Sequence, residues 1–567
     1  MKKIIINSFL ICLGTLPALS QSAIDGFRLS QPDLKGTARF MSMGGAFGAL
    51  GGDLSAIGVN PGGIGVYRNG DVGFTLDLDI QSSSSESQGS KYDMGQTKFY
   101  LNNIGTVLTL RLPSKACPNL NFGFTFNKSV SFNRKYGGNI PRLYNSMSNY
   151  IAGIANAEAI TEEEISNRNA YNPGYGEYAP PWITILGYDG YLITPVYGNG
   201  ETEWKGQWGE GTQGSGSFLV NEYGSVSDYN IVIGGNISNV VYWGMNFDIV
   251  NMNYGLNAVW GEELTDAYIP NKSNILVKES AQWNMQNFYS VNGTGFNYQI
   301  GVIVKPIQEL RLGLAFHTPT WYHLTETFGA NLNYTYAGYE TGGVSTNGNL
   351  PGYNDVNFRS PMKLIASAAG VIGSSFILSF DYEWVPYNKM RYSMPSQYGG
   401  GYYDYWYDDP WNDWGYMKPA KAAPAGYSSV LQNNDPYYET NSDIQTYYTH
   451  SNTFRLGLEY RINPSFSVRA GYCNVSSPVT AEAKNDLLEI YTSGTMPNYR
   501  FDNSTNYVTC GLGYRYKFFY ADLAYVYKHM NSTYHAYTPD VNSVYPSPQS
   551  NLSFINNQIV LSAGFRF

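Results

Sequence analysis

Few residues in this chain have the types and spacing that chemistry needs. The five histidines are His317, His323, His450, His529 and His535, and none forms a nucleophile or metal motif with nearby Ser, Asp or Glu. Cys12, Cys117, Cys473 and Cys510 lack the regular spacing of a zinc site or a disulfide framework. No phosphate-binding loop is present. The densest cluster of functional groups runs from Tyr402 through Asp404, Trp406, Asp408, Asp409, Trp411 and Asp413 to Trp414, within residues 398–416. Rings and carboxylates at that density suit a sugar, a hydrophobic ligand or calcium, or a loop packed on its own neighbours. The remaining charges recur with period two: Asp381 and Glu383, Arg455 and Glu459, and Arg515 all fall between apolar residues of the opposite parity. They are either ion pairs bracing a wall or the lining of a transport path. We expect no catalytic residue, no metal and no cofactor, and hence no enzyme.

The elements that would position such charges are strands. Phe376, Leu378, Phe380, Tyr382 and Trp384 share one parity, and so do Val72, Phe74, Leu76, Leu78 and Ile80. Ile559, Leu561, Ala563, Phe565 and Phe567 end the chain on the same pattern, which resembles the C-terminal signal read by barrel assembly machinery. This alternation excludes an amphipathic helix. Composition agrees: only 14% of residues are charged, against about 25% in a soluble chain, while Tyr and Gly number 51 and 61. The net charge of -9 argues against nucleic-acid binding. Six tight turns, near 113–118, 237–239, 305–309, 373–374, 463–465 and 517–518, alternate with long polar connections and predict about fourteen strands. The long connections are placed at 82–98, 133–224, 255–289, 336–358, 394–447, 477–502 and 531–553, those at 133–224 and 394–447 being the longest. The fold class is therefore all-β, a transmembrane antiparallel β-barrel with short turns on one side and long loops on the other.

Two segments precede the barrel. Lys2, Lys3 and the apolar run to Leu16 read as a signal peptide over residues 1–20, implying export to the outer membrane of a Gram-negative cell. Residues 21–70 are unlike strands, and the stretch Thr37–Gly52 within them is small and nearly uncharged, so they are read as a hatch plugging the lumen of the barrel at 71–567. Inward glycines Gly301, Gly313, Gly457, Gly471, Gly511 and Gly513 would leave it room. Within the predicted third strand, Lys128 falls on the outward parity. It either snorkels to the headgroups or marks an inward kink at Asn127-Lys128-Ser129.

The stretches Gly44-Gly45-Ala46, Asp53-Leu54-Ser55-Ala56, Asn60-Pro61-Gly62-Gly63 and Gly313-Leu314-Ala315-Phe316-His317-Thr318-Pro319 resemble motifs of the FadL/TodX family of outer-membrane channels. Gly62 stands where that family usually has Ala. The resemblance implies a hatch in which Asp53, Asn60, Pro61 and Gly62 take part in gating. It also implies passive uptake of long-chain fatty acids or similar hydrophobic molecules, with lateral release through a gap at the third strand. Its implied partners are a hydrophobic ligand, outer-membrane lipid and the assembly machinery, with no nucleic acid. The alternative is a structural or interaction protein, a surface-attachment or secretion partner that transports nothing.

Overall fold

The computed structural model describes residues 22–567 except 174–178, 199–200, 272–274, 338–339, 374, 396–434, 486–487, 489, 491, 493 and 539–546. The expected signal peptide and the aromatic-acidic stretch 398–416 lie outside the described residues. Nineteen strand segments form one continuous antiparallel sheet. Four barrel strands are broken in two and one segment is a flap on a loop, which leaves fourteen strands. In chain order these are β1 (Asp71–Ser87), β2 (Ser90–Arg111), β3 (Asn119–Ser131 with Arg134–Ile140), β4 (Gln213–Ile237), β5 (Val241–Pro270), β6 (Leu276–Val304) and β7 (Leu310–His317 with Trp321–Tyr336). There follow β8 (Gly352–Arg359 with Lys363–Ile372), β9 (Phe376–Pro386 with Arg391–Ser393), β10 (His450–Arg461), β11 (Phe466–Val475), β12 (Tyr499–Tyr516), β13 (Phe519–His535) and β14 (Gln549–Arg566). Each strand pairs with its neighbours in sequence, and β14 pairs with β1 from Arg566↔Asp71 to Asn551↔Glu86, closing the barrel.

Burial follows the period-two pattern. Phe74, Leu108, Phe124, Ile231, Ile300, Leu314, Phe380, Leu456, Leu512 and Leu561 form an exposed outer belt. Their neighbours Thr75, Asp77, Asn121, Thr125, Asp381 and Glu383 are buried inside. Among the described residues no helix is long and apolar enough to cross a membrane. The wall itself provides the lipid-facing surface.

The connections differ from expectation in one respect. Residues 82–98 and most of 255–289, expected as loops, are strand. The β1 and β2 ladder continues up to Ser87↔Ser90 and turns through Gln88 and Gly89, both at positive φ, the geometry a two-residue hairpin favours. β5 and β6 run 30 and 29 residues, whereas about 9–11 cross a bilayer. Above the membrane both faces of a strand meet water or a polar interior, so its sequence loses the apolar alternation that marks the wall.

The connection between β3 and β4 folds into a small cap of helices α3 (Met147–Ala157), α4 (Glu162–Ile165) and α5 (Trp182–Asp189), with a hairpin over Ile193–Gly198 and Glu201–Gly206. Ile151, Ile183, Leu186 and Trp204 bury its centre against Trp260, Leu332 and Phe328 from the extended strands. Glu262, near the top of β5, pins α3: its carboxylate accepts from Met147 N at 2.8 Å, Ser146 Oγ at 2.5 Å and Trp260 Nε1 at 2.9 Å. Burial pushes this carboxyl up to about 7, against the opposing effect of those hydrogen bonds. A raised carboxyl pKa means that the docked cap binds a proton more tightly than the open one. Docking should therefore strengthen as pH falls from about 8 toward 5. We expect amide protection factors in α3, corrected for intrinsic exchange, to rise by roughly ten- to a hundredfold over that range and to become flat in Glu262→Gln.

Candidate functional site

Residues 22–70 lie inside the barrel. Helix α1 (Ala23–Ser30) carries a capping box in which Ser22 and Asp25 satisfy each other's backbone N–H. Helix α2 (Ala38–Ser42) is capped by Thr37, whose hydroxyl donates to Asp53 at 2.8 Å. Asp53 also accepts from Ser55 N at 2.9 Å. Asn60 accepts from Gly62 N at 2.9 Å and caps the 3-10 turn Pro61–Val66. Its amide donates to Gly48 O at 2.6 Å and to Val302 O of β6 at 3.3 Å. Asp53 and Asn60 thus fix the hatch's own turns, and Asn60, Pro61 and Gly62 seat it on the wall.

Glycines make that contact possible. A methyl group on Gly301 would strike Asn60, one on Gly313 would strike Gly48, and one on Gly457 would strike Met43. At Gly471 and Gly511 the obstacles are Gly44 and Ser42. Five of the six inward glycines singled out from the sequence therefore face the hatch, while Gly513 instead borders Arg469 and Asp522.

Buried ion pairs fasten the same surface. Lys35 lies 2.7 Å from Asp77 of β1 and donates to Gln558 of β14. Arg39 lies 3.0 Å from Glu459, which also takes Arg469 at 2.8 Å and Arg461 at 3.3 Å. Asp33 meets Lys528 at 2.9 Å and Tyr507 at 3.0 Å. Burial alone would raise the Asp33 carboxyl, but Lys528 and Lys35 beside it bring it down to about 2. Of the expected lumen charges, Asp381 accepts from Gly48 N at 2.9 Å and Glu383 pairs with Arg455 at 2.9 Å. Arg515 is exposed near the opposite end of β12 from the cap and joins none of these pairs.

Helix α1 sits higher, beneath the loops. Phe27 packs at 5.2 Å from Tyr387 and 4.9 Å from Tyr448. Arg28 is 2.9 Å from Asp25 and 4.0 Å from Glu222. Around it Glu222, Arg134, Arg500 and Asp502 form a buried network that joins β3, β4 and β12. The sequence alone did not single out this network, because its members lie far apart along the chain in segments taken as loop.

The wall is interrupted at β3. Its ladder with β2 runs from Arg111↔Asn119 up to Asn103↔Asn127 and stops. A bulge separates Lys128 from Val130 in the β3 and β4 ladder. Beyond it, residues 134–140 stay paired with β4 but lie against the inner face of β1. Lys135 N donates to Gln81, Ser83 donates to Lys135 O at 2.6 Å, and Ser85 donates to Gly137 O. Ser129, the bulged residue, donates to Asp228 at 3.0 Å. Lys128 is half-buried, with its ammonium 4.3 Å from the centre of the Tyr100 ring. β2 has its own bulge at Asn102, opposite Thr75 and Leu76. Asn102 reaches inward and donates to Gly36 O of the hatch at 2.8 Å. The seam thus opens eight residues above Arg111, about 20 Å up the wall.

The barrel wall from β4 to the connection after β11 also carries a recognisable sequence signature. Residues 229–488 match the family model described as "Outer membrane protein transport protein (OMPP1/FadL/TodX)". Over that stretch the chain is similar to the FadL/TodX family. That family is one of outer-membrane transport proteins rather than enzymes. No curated protein sequence matches the chain. Similar solved structures include a Pseudomonas aeruginosa FadL homologue, at 10% identity and TM-score 0.47, covering 94% of this chain and 98% of the other. The Pseudomonas putida toluene transporter TodX gives 12%, 0.44, 94% and 99%. The Ralstonia pickettii toluene transporter TbuX gives 15%, 0.42, 94% and 99%.

The ion pairs of the hatch have a measurable consequence. Lys35→Ala should destabilise the plugged barrel by about 3–5 kcal/mol, because Asp77 is left buried without its cation. Replacing both residues together, as Lys35→Met with Asp77→Leu, should recover most of that loss. Urea unfolding in detergent, followed by tryptophan fluorescence, measures both.

Proposed function

We propose that the protein is a passive channel for hydrophobic small molecules such as long-chain fatty acids, gated by the hatch and releasing its cargo sideways into the membrane. The observation that carries this reading is the seam between β2 and β3. Lateral exit needs a gap at the level of the hydrocarbon, and the lost ladder above Asn103↔Asn127 lies at that level. An apolar molecule gains nothing from a wet pore, and a side exit delivers it into lipid without a crossing of the charged lumen. The buried plug supports the same reading, because it blocks an aqueous path while leaving the seam beside it. Asp53, Asn60, Pro61 and Gly62 act as hinge and seat of the hatch, and Asn127, Lys128 and Ser129 shape the exit. The partners are the ligand, the surrounding outer-membrane lipid and, during biogenesis, the barrel assembly machinery.

Liposomes carrying the purified barrel test this directly. Uptake of a fluorescent long-chain fatty acid should exceed that of empty liposomes, with no uptake of a small sugar. Deleting residues 21–69 should admit the sugar. Deleting Ser129, which restores the register of β3 with β4, should cut fatty-acid uptake by at least about fivefold while the barrel keeps its folded mobility on unheated gels. Folded protein that carries no hydrophobic probe would reject the channel.

A further inference from the structure

The outer surface of the wall carries a second feature, away from the seam. β7, β8 and β9 are all irregular at one level. Between His317↔Gln299 and Trp321↔Phe296, β7 holds one residue more than β6. Pro319 and Pro361 lie in the facing breaks of β7 and β8, where a ladder donor would otherwise be needed. β9 bulges between Trp384↔Leu364 and Arg391↔Arg359. The bend hollows the outer face of β5 to β9 into a groove of about 790 Å³.

The groove is graded by depth. Its floor is Phe247, Phe296 and Trp321, with Phe296 and Trp321 5.5 Å apart. Its upper rim holds His323, Arg359 and Arg391. Trp321, Arg359 and Arg391 stand side by side on adjacent strands. Trp321 is eleven residues above Leu310, where β7 begins. At about 2.6 Å of height per tilted residue that is about 29 Å, the outer edge of the apolar belt. Phe247 and Phe296 are lower, inside the belt.

Two arginines directly opposite one another on a sheet repel. Both are exposed, Arg391 at 60% of its side chain. Arg391 has Asp435 at 3.7 Å, and among the described residues Arg359 donates only to Lys389 O at 3.5 Å. Asp435 offsets one of the two charges, and the pair keeps a net positive charge with N–H groups free for an anion. A guanidinium pair is well shaped for a phosphate, which it can grip with several parallel N–H bonds. Aromatic rings just beneath, at hydrocarbon depth, suit an acyl chain.

We propose that this groove binds an acylated lipid with a phosphorylated headgroup from the outer leaflet. Its phosphate lies between Arg359 and Arg391 and one acyl chain lies along Phe296 and Trp321. The order of charge above apolar surface matches the orientation such a lipid already has in the leaflet, so binding needs no inversion of the molecule. This site is independent of transport through the lumen.

Native mass spectrometry of the full barrel in detergent tests it, with dimyristoyl phosphatidic acid, dimyristoyl phosphatidylcholine and inorganic phosphate as probes. We expect phosphatidic acid to be retained about tenfold more than phosphatidylcholine. That preference should vanish in Arg359→Gln/Arg391→Gln, whereas Phe296→Ala should lower retention of both lipids. Arg142→Gln, which removes an arginine outside the groove, should change nothing. Equal retention of the two lipids, or a preference that survives the double variant, overturns the proposal. Inorganic phosphate that competes at micromolar concentration would show an anion site without a lipid, and would overturn it too. Folded mobility on unheated gels confirms that each variant is a closed barrel.

Discussion

Hydrocarbon offers no hydrogen-bond partner, so every backbone N–H and C=O in a lipid-embedded wall must find its mate within the protein. Closure of β14 onto β1 meets that demand around most of the circumference. Where β3 leaves β2 the demand is met differently. On one edge the inward segment keeps its ladder with β4. On the other, Gln81, Ser83 and Ser85 of β1 reach its backbone with their side chains. The third strand can therefore desert the wall because the first carries polar side chains in the right places.

The hatch answers a related demand inside. A lumen lined with Asp77, Glu383 and Glu459 would be costly to dry out, yet all three are buried. Lys35 and Arg39 bring opposite charge to two of them, and backbone groups at Gly36, Gly48 and Leu50 meet other wall polar groups. Glycine on the wall sets how near those groups can come. Charge pairing and close approach are thus two sides of one fit, and neither works without the other.

Much of this was legible in the sequence. The period-two pattern located the wall strands, and the inward parity of Asp381, Glu383, Arg455 and Glu459 followed from the cost of a charge in lipid. The glycines at 301, 313, 457, 471 and 511 were legible as space because a strand interior seldom tolerates so many. What escaped were the strand extensions at 82–98 and 255–289. There both faces are polar or buried in protein, so the alternation that reports lipid on one side disappears. Helix α1 escaped for another reason. Its eight residues join a core made of Tyr387, Tyr448 and other residues far along the chain, and no local pattern reports such a neighbour.

The hatch lies against strands from both ends of the barrel. Ala38 N donates to Ser562 of β14 at 2.7 Å, and Arg566 donates to Gly52 O at 3.1 Å. Lys35 meanwhile grips Asp77 of the first strand. One short segment thus bridges the seam at which the sheet closes on itself, bonded to the first strand on one side and to the last on the other. The closing ladder and the seat of the hatch therefore share their residues, and a change in either is felt by both.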